Sequence, residues 1–433
     1  MIDNKRIGIF QLEWELQVQT LHLITMLAKE GYTVDVFLHK NQIVADFDYL
    51  KSDYQDVHFH IFDPIYYSFF NVPGKSHHCG QRIINFSKKI YRILKQSVSE
   101  GLFERLLYLL NSDRNLVKAD LINQTTALMA GKTYVCFIGI EKMGLLWSGK
   151  LAGTMKVPNI YYSLELYTHN HPFVQRSNRK KRVKIFEEYY HKQCRATIVQ
   201  DEMRGRILYE DNHVDMSMVE PIYLPVSSLG ECVRIKTNTI EQMFNLKHSD
   251  ILILYYGWMA AGRKIDELIR ITKEFPGGWK LILHGIDTMN VHKFIRENNG
   301  SNQVLVSTKF LSHEGLMNLI SSATVGMVLY DDSNLNNILT VFSSEKICMY
   351  LKCGIPIIAF RYPGYDIFEN YRCGVLIQSM SEIPSAIRKI LDNYSSYREN
   401  AYRCFEENYE YSKNFSGLKK YLDTLSDERM ATH

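Results

Sequence analysis

The sequence predicts an α/β protein made of two tandem doubly wound, Rossmann-like domains facing a cleft. Strand-like runs alternate with helix-spaced apolar residues from Arg6 onward, and the alternation restarts after the Pro221–Pro225 segment. The chain has 433 residues, 46% hydrophobic and 23% charged, enough for two cores and incompatible with disorder or collagen-like structure. Lys and Arg number 51 against 47 Asp and Glu, a net charge of +4, so no nucleic-acid partner is expected.

The first unit opens with a β-rich run, Arg6–Phe10. Leu16, Leu23, Ile24 and Leu27 follow at helical spacing, then a stop at Gly31 and a second strand, Thr33–Leu38. Tyr134–Ile140 reads as a strand, Gly144–Met155 as a helix, and Val157–Tyr162 and Ala196–Gln200 as further strands. Residues 64–113 break the alternation. There Tyr66–Lys95 interleaves aromatics with Lys88, Lys89, Arg92 and Lys95, which fits either an ordinary packed insertion with a wet basic face or an interfacial helix. The cluster Arg176, Arg179, Lys180, Lys181, Arg182 and Lys184 admits the same two readings.

Few apolar residues occur in 226–249, and Ser227, Ser228 and Gly230 mark the linker there. The second unit then runs from strand Ile251–Tyr256 through helix Ile265–Phe275 and strands Lys280–His284 and Val304–Val306. It continues with helix Gly315–Ser321, strand Val325–Leu329, helix Ser344–Cys353 and strand Ile355–Phe360. The expected domains are 1–226 and 248–404, with a C-terminal helix at about 405–433 packing back onto the first.

Eight cysteines (Cys79, Cys136, Cys194, Cys232, Cys348, Cys353, Cys373, Cys404) form no C-x-x-C, which points to a reducing compartment and no zinc site. The start, Met1–Phe10, lacks a signal-peptide pattern, and no apolar run is long enough to cross a bilayer. A cytoplasmic protein is expected, docked peripherally on the inner face of a membrane if the basic stretches are interfacial.

Ligands of doubly wound sheets bind at the carboxyl ends of strands, beside helix N-termini. After Tyr256 comes a small-residue loop, Gly257 to Gly262, carrying Arg263 and Lys264 into a helix. Ser343, Ser344, Glu345 and Lys346 open another helix, where free N–H groups, two hydroxyls and an ammonium suit an anion. The same Ser-Ser pair also serves as an ordinary helix cap. A diphosphate fits both loops at once. No P-loop, G-x-G-x-x-G, H-E-x-x-H or paired metal carboxylates occur, so no metal and no cofactor are expected.

The order of these pieces resembles the GT-B glycosyltransferases, particularly the large family 4 group, across nearly the whole chain. Tyr256-Gly257 with Arg263 to Ile269 resembles the family's donor-phosphate segment, Arg263 standing in place of its lysine beside Lys264. Leu281 to Gly285, including His284, is similar to a family strand ending in glycine, and Val306 to Leu311, with Lys309, Phe310 and Leu311, to the strand and loop that hold the base. Ser344 to Ile358 resembles the motif S/P-x-K-L-x-E-Y-L-x-x-G-x-P-V-I. Its ribose-binding glutamate is replaced by Met349 and that residue's partner by Val341, leaving Glu345, one turn earlier, to substitute.

In the first half, Lys5–Phe10 and Gly31–Phe37 resemble the family's opening, but the usual Gly-Gly is replaced by Gln11-Leu12-Glu13-Trp14-Glu15. Glu141 matches the acid of a His-Glu pair whose histidine is Ile140, and Glu165 matches the acid of a V-Y-x-x-H-E-L segment, with His169 nearby.

The resemblance implies a retaining nucleotide-sugar glycosyltransferase in cell-surface polysaccharide or glycolipid synthesis, and the missing metal motifs, with helix N-termini and Arg or Lys for the leaving diphosphate, fit a metal-independent transfer. Its donor is a UDP- or GDP-linked sugar and its acceptor a glycan or lipid-linked hydroxyl. Gly257, Arg263, Lys264, His284, Lys309, Phe310, Leu311, Ser343, Ser344, Glu345 and Lys346 are expected on the donor, Glu141 and Glu165 in catalysis, and Glu13, Trp14 and His169 on the acceptor side. The missing glutamates and histidine leave open a non-catalytic partner protein of the same fold that binds a nucleotide sugar or a second subunit.

Overall fold

The computed structural model describes residues 5–12, 16–39, 54–62, 116–260, 262–297 and 303–431. The expected acceptor residues Glu13 and Trp14, and the Tyr66–Lys95 stretch, lie outside the described residues.

Seven parallel strands make the first sheet: β1 (Arg6–Gln11), β2 (Thr33–His39), β3 (Val57–Phe62), β4 (Cys136–Ile140), β5 (Asn159–Tyr162), β6 (Ala196–Val199) and β7 (Glu220–Tyr223). Their order is β3-β2-β1-β4-β5-β6-β7, so the chain reverses direction of growth between β1 and β4. Six parallel strands make the second: β8 (Ile251–Tyr256), β9 (Trp279–His284), β10 (Val304–Ser307), β11 (Val325–Val328), β12 (Ile357–Phe360) and β13 (Gly374–Ile377), ordered β10-β9-β8-β11-β12-β13. Here the switch point falls between β8 and β11. Central strands such as β2 and β4 are buried along their whole length, because helices cover both faces.

Side-chain alternation along β1 divides the first core in two. Ile7 and Ile9 pack on one face with Leu23, Leu27 and the C-terminal helix Tyr411–Ala431, while Phe10 packs on the other with Phe37, Phe137 and Trp147. The helix Glu141–Met155 lies directly on the sheet through two glycines. A Cβ at Gly144 would sit 2.2 Å from the Phe10 carbonyl oxygen, and one at Gly139 2.6 Å from Leu145 Cα.

Some elements differ from the sequence reading at their ends. The helix expected from Gly144 starts at Glu141, because Glu141 takes a left-handed backbone (φ 56°) that turns the chain straight from β4 into the helix. The helix from Ile265 stops at Ile271, with a single 3₁₀ turn, Thr272–Glu274, before Pro276. Strands β3 and β7 escaped the sequence reading. The middle of β3 is only half covered, and β7 carries Pro221, which an edge strand tolerates.

The chain crosses between the domains twice, side by side. Ser228 N–H donates to the Tyr409 carbonyl (3.0 Å) and Tyr411 N–H to the Ser228 carbonyl (3.1 Å). Gln19 bonds Ser227 through both its amide atoms, and Lys352 Nζ donates to Ser228 Oγ at 3.0 Å. The linker is thus pinned from both domains. The seven described cysteines form no disulfide. No helix among the described residues is long and apolar enough to cross a membrane.

Candidate active site

The switch point of the second sheet brings the loop after β8 beside the loop after β11. Gly257 (φ 118°) and Gly285 (φ 134°) hold conformations that side-chain residues rarely adopt, and a Cβ at Gly285 would overlap the Gly257 carbonyl oxygen at 2.1 Å. The loops after β8, β9 and β10 are joined edge to edge by Gly257 N–H to His284 O (2.9 Å), Met259 N–H to Ile286 O (2.8 Å) and Gly285 N–H to Ser307 O (2.9 Å).

Lys346 reaches this floor from the first turn of the helix Glu345–Lys352. It is only 9% exposed, its ammonium stands 3.9 Å from the centre of the Tyr255 ring, and a Cβ at Gly257 would lie 3.6 Å from its Cε. No ion pair holds it among the described residues. Burial, with the Arg263 charge adding to it, pushes the Lys346 ammonium well below its ordinary pKa. Arg263 lies 4.5 Å from the centre of the Tyr330 ring and donates to Asn337 Oδ1 at 3.0 Å. Asp331 is close behind. Burial opposes its ionisation, but hydrogen bonds from Ser333 and Asn337 and the Arg263 charge keep its carboxyl below the usual range.

The two serines are engaged already. Ser344 caps its helix through Ile347 N–H and shares a hydrogen bond with the Tyr330 hydroxyl at 2.8 Å, while Ser343 Oγ accepts from Arg204 of the first domain at 3.0 Å. Lys264 is turned away onto Glu267 at 2.8 Å. Glu345 is exposed, whereas Met349 and Val341 are core residues. Buried His284 has an unpartnered Nδ1, and burial lowers its pKa, favouring the neutral imidazole. Lys309 and Phe310 stand out at the end of β10, Phe310 83% exposed, while Leu311 packs on the core. Trp258 and Ile286, at the ends of β8 and β9, are exposed as well.

Across the cleft, Glu141 is 1% exposed and braces the next loop, Oε1 accepting from Leu164 N–H (2.6 Å) and Glu165 N–H (2.8 Å). Burial raises its pKa. Glu165 is half-buried and the more accessible of the two carboxylates. Glu165 Oε2 accepts from Asn336 Nδ2 at 2.6 Å.

His169 is drawn aside, Nδ1 lying 3.1 Å from Asp211, which also pairs with fully buried Lys184 at 2.7 Å. Lys184 further faces Glu187 at 3.4 Å, so this member of the basic cluster is an interior cation. Arg176 and Lys181 remain exposed.

Sequence reasoning missed Arg204. It is 2% exposed and its guanidinium bonds Gln200 Oε1 (2.7 Å), the Leu164 carbonyl (3.0 Å), Asn336 Oδ1 (3.0 Å), the Leu339 carbonyl (3.0 Å) and Ser343 Oγ (3.0 Å). The last three belong to the second domain, so one side chain fastens the cleft. Its place just beyond strand β6, and the Asn334–Asn337 run beyond β11, are the only signals that pointed to either. No cluster of metal-ligating side chains occurs among the described residues.

Residues 277–408 match the model of the glucosyltransferase 3-like C-terminal domain. Among solved structures, the chain is similar to Anabaena HepE in complex with UDP-glucose, at a TM-score of 0.65 and 10% identity over 97% of this chain and 99% of that one. It is also similar to sucrose-phosphate synthase from Thermosynechococcus elongatus, at 0.65 and 14% over 99% and 100%. A glycosyltransferase from Rickettsia africae matches at 0.60 and 11%, over 97% and 98%. No curated protein matches the sequence. At these identities the likeness establishes the fold, two facing parallel-sheet domains of the GT-B type.

Proposed function

We propose that this GT-B chain transfers a sugar from a nucleotide-diphosphate donor to an acceptor hydroxyl. The observation that carries the reading is buried Lys346, held by no ion pair among the described residues, beside half-buried Arg263 and the Gly257–Gly285 floor. Burying an ammonium without a counter-charge is costly, and a diphosphate supplies that charge. The glucosyltransferase-like match over 277–408 and the likeness to a protein solved with UDP-glucose support the same donor class, a UDP-linked sugar before a GDP-linked one.

The chemistry follows from the charges. As the glycosidic bond to the diphosphate breaks, negative charge grows on the leaving oxygen, where Lys346, Arg263 and the first N–H groups of the helix Glu345–Lys352 stabilise it. These cations take the part a divalent metal plays elsewhere, so the transfer is metal-independent. Gly257 leaves the room for the phosphates to reach Lys346, and Phe310 offers an exposed ring for the base. Glu165 is the cleft carboxylate that orients the acceptor hydroxyl, held by Asn336 while Glu141 fixes its backbone. Retention of configuration follows the family 4 resemblance. The acceptor is a glycan or lipid-linked hydroxyl in polysaccharide or glycolipid synthesis, with exposed Arg176 and Lys181 as the contacts to an anionic membrane surface.

Titration calorimetry with UDP and GDP, followed by a donor-hydrolysis assay, tests the reading. Wild type is expected to bind nucleotide and release sugar, and Arg263→Ala to weaken binding roughly tenfold or more. Absence of nucleotide binding would overturn the assignment. Binding without hydrolysis or transfer would favour the non-catalytic partner, the reading that buried Met349 and Val341 support.

A further inference from the structure

The helix Glu345–Lys352 points its first turn at the cleft, and its last turn lies beside a second concavity on the outer face of the same domain. There the linker strap, whose Val233 N–H donates to the Lys352 carbonyl at 2.9 Å, runs along the helix Tyr394–Asn408. Between strap and helix lies a cavity of about 410 Å³, walled by Arg234 and Lys236 on one side and Tyr394, Arg398, Glu399 and Tyr402 on the other.

The ion pairs in this wall are unevenly shared. Arg234 takes both nearby carboxylates, Glu399 and Glu406, each at 3.1 Å. Arg398 is left with neutral acceptors, the Tyr402 hydroxyl at 3.0 Å and the Arg234 carbonyl at 3.1 Å. Lys236 makes no ion pair among the described residues, its ammonium 5.7 Å from the centre of the Tyr394 ring. The Tyr394 hydroxyl is buried beside the Arg398 guanidinium. Two cations with no carboxylate at ion-pair distance and one buried hydroxyl therefore converge on a space at the small end of the range typical of ligand sites.

We propose that this cavity binds a small, soluble phosphate-bearing molecule, its phosphate held by Lys236, Arg398 and the Tyr394 hydroxyl. A phosphate oxygen accepts from all three donor types, and its negative charge removes the repulsion between the two cations. Desolvation of the ammonium against its neighbours, with the Arg398 charge adding to it, holds Lys236 below its ordinary pKa despite the Glu241 carboxylate, a shift that a bound anion reverses. Arg234 and Lys236 follow the pinned crossing at Ser228, so an occupant adds to the contacts that already join the strap to the helix Tyr394–Asn408. The site is separate from the cleft and independent of the activity proposed for it.

The test uses the full chain, with inorganic phosphate followed by phosphorus NMR and calorimetry. Lys346→Ala removes the cleft's contribution, and in that background phosphate is expected still to bind. Adding Lys236→Glu, on an exposed stretch of strap, is expected to weaken phosphate roughly tenfold or more, and Arg398→Gln to act in the same direction. Equal affinity with and without Lys236→Glu, or loss of all phosphate binding in Lys346→Ala alone while its circular dichroism stays that of the wild type, would overturn the proposal. A parallel arm uses phosphatidylglycerol vesicles. Lys236-dependent recruitment to them, without binding of free phosphate, would overturn the soluble ligand in favour of a lipid headgroup.

Discussion

Lys346 concentrates the electrostatics of the cleft in one side chain. Its folded-state pKa is depressed, so the folded protein binds fewer protons than the unfolded chain, and this residue's contribution to stability rises with pH. A bound diphosphate reverses the shift. Nucleotide binding is therefore expected to take up a proton and to weaken as pH rises, seen as calorimetric heats that change with the buffer's ionisation enthalpy. Lys346→Ala should abolish that buffer dependence, and its persistence in the variant would place the proton elsewhere. The position of Lys346 was legible, since Ser-Ser-Glu-Lys before a helix-spaced apolar run marks a helix opening at a strand end. Arg204 was not legible: one of its acceptors, the Leu339 carbonyl, lies 135 residues away, and nothing local in Asp201–Arg204 announces a cross-domain bond. Glu165 and Glu141 looked equivalent as strand-end acids. Burial separates them, and burial of a loop carboxylate depends on which neighbouring backbone it meets.

Two helices carry the next predictions. In the helix Glu141–Met155, alanine at position 144 has the better intrinsic propensity, yet its Cβ meets the Phe10 carbonyl at 2.2 Å. Gly144→Ala is expected to cost about 1–3 kcal/mol, measured by denaturant unfolding, because helix and strand must separate to admit it. Neutral or raised stability would mean that the helix moves away freely. In the helix Val18–Lys29, His22 bonds the Ser227 carbonyl at 3.1 Å, and burial, with the Lys352 and His313 charges nearby, lowers its pKa to about 4. Buried His191 is likewise lowered to about 3. Both are neutral in the folded chain and readily protonated when unfolded, so their stability is complete above about pH 6.5 and is lost as pH falls towards 4. The His22 share is about 3 kcal/mol across that window, and His22→Gln should flatten the stability–pH curve by that amount. The alternation of these elements was readable because apolar periodicity is local, whereas the start at Glu141 depended on a positive φ that only the tight strand-to-helix turn requires.

At the scale of the molecule, the cleft is fastened by Arg204 and the bonds from Asn336 to Glu165 and Leu166. Arg204→Ala removes the cross-domain bonds of one side chain and leaves the Leu164 carbonyl short of a donor, a loss of about 1–3 kcal/mol for that buried group, while the Leu339 carbonyl keeps Ser343 Oγ. The variant is expected to open, with a larger radius of gyration in X-ray scattering, and added nucleotide should reduce it. An unchanged radius would locate closure in other contacts. The two-domain plan was legible from the repeated alternation, and a C-terminal helix returning to the first domain was expected, but the pairing between Ser228 and Glu410 that sets the two crossings side by side was not. That pairing has a consequence for biosynthesis. The second domain is inserted within the first, whose core borrows Tyr411, Phe415, Leu418, Leu422 and Leu425 from the chain's last helix. On the ribosome the inserted domain is therefore translated whole while its host still lacks one wall, and the host core closes only after the final helix has emerged.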